Sequence, residues 1–252
     1  MPLWEYTLLG FTGLFSAALT ALVGFGGGTI LIGVLLLFMP PAVAIPFHGL
    51  VQLFSNGWRV ILFRKHIGWH LAWRFTLLLP LGIILGLWFF QGLGKEMIQL
   101  LIGLTVVFAL FARNLKGVRH KDLPTSAFIP LGLVMGILNM IVGVVAPLMG
   151  VLVVRKELNK EAMIGTLGFF ALSGHVFKVA AFGWAGFHFE DHIPALAIMV
   201  PSVMVGGVLG KWLLGKVDEK FFRVFFQGLL ILLSLKLIIW EGLWPLLLQY
   251  MG

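Results

Sequence analysis

Apolar residues run through this chain in long unbroken blocks separated by short stretches of proline, glycine and charge. The blocks fall at 4–23 plus 29–39, 42–63, 73–91, 97–112, 126–141 plus 146–154, 161–182, 193–214 and 221–240. Several reach the roughly 18 residues that a helix needs to span hydrocarbon. Runs such as Phe75 to Phe90 and Phe221 to Leu235 do not alternate in polarity, as the strands of a membrane barrel would. The predicted fold class is all-α, a polytopic transmembrane helical bundle.

Two blocks are interrupted from within. Gly24-Phe25-Gly26-Gly27-Gly28-Thr29 stands between oily runs that end at Val23 and resume at Ile30. Glycine leaves one helix and begins another without steric penalty. The N–H groups freed there have no water to bond, so unwound backbone belongs where protein buries it or a cavity lies beside it. A half-helix whose N-terminus faces such a cavity is an anion receptor. The second interruption, Asn139-Met140-Ile141-Val142-Gly143-Val144-Val145-Ala146-Pro147, has fewer glycines, and Pro147 suits the first turn of a following helix.

The series of blocks repeats itself, a broken hairpin and then three spans, twice. Gly26 with Gly33 matches Gly143 with Gly150 at an offset of 117, Gly68-Trp69-His70 matches Gly186-Phe187-His188 at 118, and Leu79-Pro80 with Gly86 matches Val200-Pro201 with Gly207 at 121. An internal duplication is expected, with 1–120 as the first transmembrane repeat and 121–252 as the second, inside one integral membrane domain. The loops at 64–74, 113–121, 155–160 and 211–223 hold most of the Lys and Arg, which marks the cytoplasmic side. All four share that side only if each broken segment re-emerges where it entered, because a single pass through 126–154 would put Lys121 and Arg155 on opposite faces. Each repeat then crosses an odd number of times and the two are inverted, with the site near the midplane where the discontinuous helices meet. Trp4, Trp88, Trp184 and Trp240 at outer ends, and Trp58, Trp69, Trp73 and Trp212 at inner ends, fit the aromatic belts of this topology. The pairs Gly82/Gly86, Gly132/Gly136 and Gly206/Gly210 have the spacing of close helix packing.

Composition narrows the function classes. The 252 residues are 60% hydrophobic and 11% charged, without cysteine, so no disulfide or thiolate metal site is expected. A net charge of +8 is accounted for by the cytoplasmic loops, so no nucleic-acid partner is expected. Met1-Pro2-Leu3-Trp4-Glu5 lacks the basic start and cleavage site of a signal peptide, so the first helix should be retained. The ten acids all fall in loops or near span ends. Sodium and divalent cations want carboxylate oxygens, and proton pumps commonly use buried Asp or Glu. An anion is therefore the expected cargo, with no metal and no cofactor.

His48, Gln52, Asn56 and Arg59 recur at spacings of 4, 4 and 3, which sets them on one helical face. A polar stripe turned to lipid is costly, so it should face the bundle interior. Arg59 has the alternative of snorkelling to the interface, and His48 offers either a proton-coupling group or an interhelical hydrogen bond. In the second repeat the corresponding helix carries Thr166, Ser173, His175 and Lys178. Ser173 takes the place of Asn56 there, and Lys178 falls two positions beyond the counterpart of Arg59. The expected binding set is Gly26, Gly27, Gly28, Thr29, His48, Gln52, Asn56, Arg59, Asn139, Gly143, Val144, Ser173 and Lys178. Ser16 and Thr20 are left out, since lone hydroxyls in membrane helices more often bond their own backbone.

The chain resembles the sulfite exporter TauE/SafE family of membrane permeases. The resemblance lies in Gly24-Phe25-Gly26-Gly27-Gly28 closing the first segment, the Pro40-Pro41 turn, the Arg64-to-Trp69 loop ending in Gly68-Trp69, the Pro80-to-Gly86 helix and the two-fold repetition. It implies a transporter of small sulfur oxyanions or organosulfonates such as sulfite, thiosulfate or sulfoacetate. The second break departs from the family habit of repeating a glycine-rich run, keeping only Gly143 at its core. The expectation is a secondary transporter of a small anion, held in the cell (inner) membrane and working by alternating access, with a homodimer left open. A passive anion channel shares every feature named. A membrane-embedded lipid-processing enzyme is the other alternative, with His66, His70 and His120 as its candidate residues on the cytoplasmic side.

Overall fold

The interrupted first segment resolves into two helices that meet at Gly26. The computed structural model describes residues 3–23, 26–112, 123–143, 145, 148–149, 158–214, 216, 228 and 231–251. Helix α1 is Leu3–Val23, and α2, Gly27–Phe38, starts from Gly26 in the left-handed conformation at φ 99°. Pro41 then opens α3, Pro41–Phe63, where a missing N–H costs nothing. After one 3₁₀ turn come α4, Trp69–Gly92, and α5, Lys95–Ala112. The second half supplies α6, Phe128–Ile141, and α7, Lys160–Trp184, whose start is capped by Asn159 Oδ1 accepting from Ala162 N at 2.8 Å. Helix α8 is Ile193–Leu213. The last apolar helix, α9, is Ile231–Gln249; it passes through a π-helical stretch, Leu237–Leu243, into Trp244–Met251.

Among the described residues there is no strand. By length and composition, four of their helices are able to cross a membrane: Trp69–Gly92, Lys160–Trp184, Phe189–Leu213 and Ile231–Gln249, with Gly27–Phe38 and Thr125–Ile141 as shorter apolar helices. Large apolar side chains such as Phe11, Leu77, Ile84, Phe108 and Leu232 are exposed on the outside, the surface that lipid rather than water would solvate. Among the described residues the helix boundaries follow the sequence expectation except at two places; the segment 146–154 and the start of the segment 221–240 lie almost wholly outside them. Helix α4 begins at Trp69 rather than 73, and the last helix continues past 240. Lys236 and Glu241 pair at 2.9 Å, so charge enters α9 without ending it. Lys121 and Arg155, on which the orientation argument turns, lie outside the described residues, as do Gly24, Phe25, Val144, Ala146, Pro147 and Gly150.

The two halves interlock. Helix α1 packs along α8 and α6 along α4; α3 packs along α7; α3 also meets α8 as α4 meets α7; and α5 lies against α9. Exchanging first-half helices for their second-half counterparts leaves this set of pairings unchanged. Glycines bring the backbones into contact at both flanks. A Cβ on Gly82 would lie 2.1 Å from Leu133 O, and one on Gly132 would lie 1.9 Å from Phe75 O. On the other flank a Cβ on Gly206 would lie 2.1 Å from Leu14 O, and one on Gly210 2.2 Å from Ala18 O. By packing partner Gly86, against Ile137 O, corresponds to Gly210 rather than to Gly207, which meets the ring of Trp58. Trp58 therefore packs between helices, against Gly207.

Gly132→Ala and Gly206→Ala are expected to destabilise the folded chain by at least about 1–3 kcal/mol, since each new Cβ overlaps a backbone oxygen that has no rotamer to escape into. Gly92→Ala, with nothing within 4 Å of its Cβ, should be neutral. Thermal unfolding in detergent separates the two cases.

Candidate functional site

The long helices α3 and α7 carry the polar residues that the bundle buries. His48, Gln52, Asn56 and Arg59 on α3 are all nearly inaccessible, as are Thr166, Ser173, His175 and Lys178 on α7 and Asn139 at the end of α6. Between them lies a cavity with about 40 Å³ open to the centre of a water-sized sphere. Gly26, Gly28, His48, Gln52, Asn56, Arg59, Asn139, Gly143 and His175 form its polar wall together with Thr20, and Phe75, Leu79, Met135, Leu167 and Phe170 form much of its apolar wall. Phe75 and Phe170 stack with centroids 4.3 Å apart, which closes that side.

Each break is held by a side chain from a long helix. His48 Nε2 donates to Gly28 O at 2.9 Å, and Lys178 Nζ donates to Gly143 O at 3.0 Å while lying 3.5 Å from Asn139 Oδ1. Gly143, like Gly26, has a positive φ, 80°. The three glycines of the first break have separate tasks. Gly26 supplies the left-handed turn. Gly27 lets α2 touch α1, since a Cβ there would stand 1.8 Å from Ser16 O. Gly28 leaves room for Gln52, whose Nε2 would lie 2.3 Å from an added Cβ.

Along α3 the stripe is internally bonded. Asn56 Nδ2 donates to Gln52 O at 2.8 Å and approaches Gln52 Oε1 at 3.3 Å, and Arg59 donates to Asn56 Oδ1. The guanidinium is thus turned into the bundle, 4% exposed, and does not snorkel. Its stem and that of Lys178 rest on glycines of the opposite helix. A Cβ on Gly168 would meet Arg59 Nε at 2.9 Å, and one on Gly49 would meet Lys178 Cε at 3.0 Å. Arg59 and Lys178 are 119 residues apart, as are Gly49 and Gly168. The packing register across α3 and α7 is therefore 119 and not the 117 of the breaks. By packing, Lys178 and Arg59 hold matching seats, and the same 119 residues separate Asn56 from His175.

Of the residues expected at the site, Gly26, Gly28, His48, Gln52, Asn56, Arg59, Asn139 and Gly143 line the cavity. Gly27, Thr29, Ser173 and Lys178 are buried but do not line it, and Val144 lies outside the described residues. Ser173 Oγ instead donates to Phe169 O at 2.9 Å and receives Thr76 Oγ1 at 3.5 Å. Thr20 bonds Ser16 O at 2.8 Å, as a lone helical hydroxyl does, and still reaches the cavity. His175, a polar residue of the same helix that is absent from the expected set, lines the cavity. His66 and His70 are exposed, His120 lies outside the described residues, and no cluster of metal-ligating side chains occurs among those described.

No buried residue among those described is acidic, while two, Arg59 and Lys178, are cationic. A cavity of this kind favours a negative guest. No curated protein and no solved structure matches the chain. The sequence profile described as sulfite exporter TauE/SafE matches residues 9–237, from α1 into α9 and across the whole of the cavity. The protein belongs to the TauE/SafE family of sulfite exporters.

Proposed function

We propose that this chain is a secondary transporter of a small sulfur-containing anion in the cell membrane, and that the cavity between α3 and α7 is its binding site. One observation carries the reading: two cationic side chains, Arg59 and Lys178, are buried at and behind a cavity whose described wall is rich in neutral hydrogen-bonding groups. Removing a cation from water costs several kcal/mol even after relaxation, whereas a helix N-terminus stabilises an anion by only about 0.3–2 kcal/mol. The two cations therefore dominate the attraction, and the half-helix ends orient the guest. Gln52, Asn56, His175 and Asn139 supply neutral hydrogen-bonding groups around it. The helix pairings that survive exchange of the halves support two inverted repeats, each a broken hairpin plus three spans, and a site at their junction. Alternating access would then come from one set of helices rocking against the other.

The cavity also favours a particular size of cargo. A water needs about 10–15 Å³ on this measure, so 40 Å³ suits a compact oxyanion better than a long organosulfonate. In proteoliposomes, sulfite and thiosulfate are expected to compete with labelled sulfite at lower concentration than sulfoacetate does. The reverse order would mean that the cavity is not the site.

Uptake should saturate and should accelerate when unlabelled sulfite is preloaded inside, behaviour that a passive channel lacks. Arg59→Gln is expected to weaken the apparent affinity about 10- to 100-fold, the worth of a hydrogen bond to a charged group. Lys178→Gln should weaken it less, because Lys178 acts from behind Gly143. Parent-like uptake in both variants would remove the cavity from the mechanism.

A further inference from the structure

The cavity contains a base to which the anion-carrier reading gives no task. His48 Nε2 is 2.9 Å from Gly28 O, and a carbonyl oxygen only accepts, so Nε2 bears the hydrogen and the basic lone pair belongs to Nδ1. That Nδ1 is buried and has no hydrogen-bond partner among the described residues. His48 is 1% exposed and lines the cavity. Beside it stands His175 of α7, ring centroids 5.7 Å apart and planes at 74°, with its own Nδ1 also buried and without a partner.

Among the described residues few charged groups face this pair. Lys178 bears on both rings and Arg59 on that of His175. Helices α2 and α6 contain no titratable side chain. The remaining titratable residues of the helices around the pair are Glu5 and Tyr6 on α1, His70 and Arg74 on α4, Lys95 and Glu96 on α5, Lys160 and Glu161 on α7 and Lys211 on α8. All sit at helix ends and are at least partly exposed, as are Arg64, Lys65 and His66 in the turn after α3. His192 packs on the ring of Phe47 at 5.5 Å instead of meeting the pair. A positive ring among two cations is opposed by repulsion that a negative guest offsets. Anion and proton then favour each other's presence, and the coupling is reciprocal.

We propose that His48 takes up a proton at Nδ1 when the cavity takes its anion and returns it to solvent when the anion leaves, so that the cargo moves together with a proton. The inference rests on the anion-carrier reading. It is tested by calorimetric titration of the full chain in detergent with thiosulfate and with methanesulfonate, neither of which titrates near pH 7. Running the titration in two buffers of different ionisation enthalpy counts the protons taken up per anion bound. The expected count approaches one, with affinity falling about tenfold per pH unit on the alkaline side of the coupled titration. His48→Gln, whose amide can still donate to Gly28 O, should bind with no proton uptake and no such slope. Binding by the parent without proton exchange overturns the inference and leaves the anion reading standing, while binding of neither anion overturns both. If His48→Gln fails to fold, an unchanged proton count in both Lys178→Gln and His175→Gln keeps the assignment to His48, and a count lost in either variant overturns it. Uptake that survives in His48→Gln and vanishes in His175→Gln overturns the assignment to His48.

Discussion

A backbone carbonyl past the end of a broken helix, buried away from bulk water, must find a donor. Leaving it without one costs several kcal/mol in hydrocarbon. Past the end of α6 the donor to Gly143 O is Lys178, and in the first turn of α2 Gly28 O, already inside the helix ladder, takes a further bond from His48. Both donors belong to the long helices, so each break is pinned to α3 or α7, and these two helices pack on one another. The flanking pairs, α1 with α8 and α4 with α6, approach to backbone contact through glycine and fix how far the breaks can spread. The cavity is the space left where two pinned breaks and two long helices converge.

Much of this was legible before any coordinates. Continuous apolar blocks gave the helices to within a few residues because hydrophobicity, not local propensity, decides which segments enter a bundle of this kind. Where the boundaries moved, the cause was charge: Trp69 to Arg74 reads as polar yet forms the first turns of α4, and the Lys236–Glu241 pair lets α9 continue where a hydropathy reading stops. The stripe from His48 to Arg59 could be assigned to an interior face because its spacing admits no other arrangement of four polar groups in an apolar helix. That it surrounds a hollow rather than a solid seam could not be read, since a cavity is a property of several helices at once.

Register was the weak point, for a physical reason. An offset measured at the breaks is carried into the following helices only if the connecting turns are equal in length, and turns absorb insertions freely. Across α3 and α7 the matching glycine contacts are 119 residues apart rather than 117, and His175, not Ser173, reaches the cavity wall. The missing signal was present in the sequence as Gly49 and Gly168, two small residues at the same separation as the two cations. Gly27 was misread in a similar way. A glycine in such a run can free its N–H for a guest or make room for a neighbouring backbone, and here Ser16 O occupies that room.

The two glycine seats lie on one pair of helices, each accepting the stem that the other helix sends across. A slide of α3 along α7 cannot lift Arg59 from Gly168 while leaving Lys178 settled on Gly49. Both heads shift in the same stroke, and with them the electrical potential that an ion in transit would feel. Under the proposed rocking of the halves, grip on the cargo and displacement would be geared together, so that a purely mechanical step would also change how strongly the passenger is held.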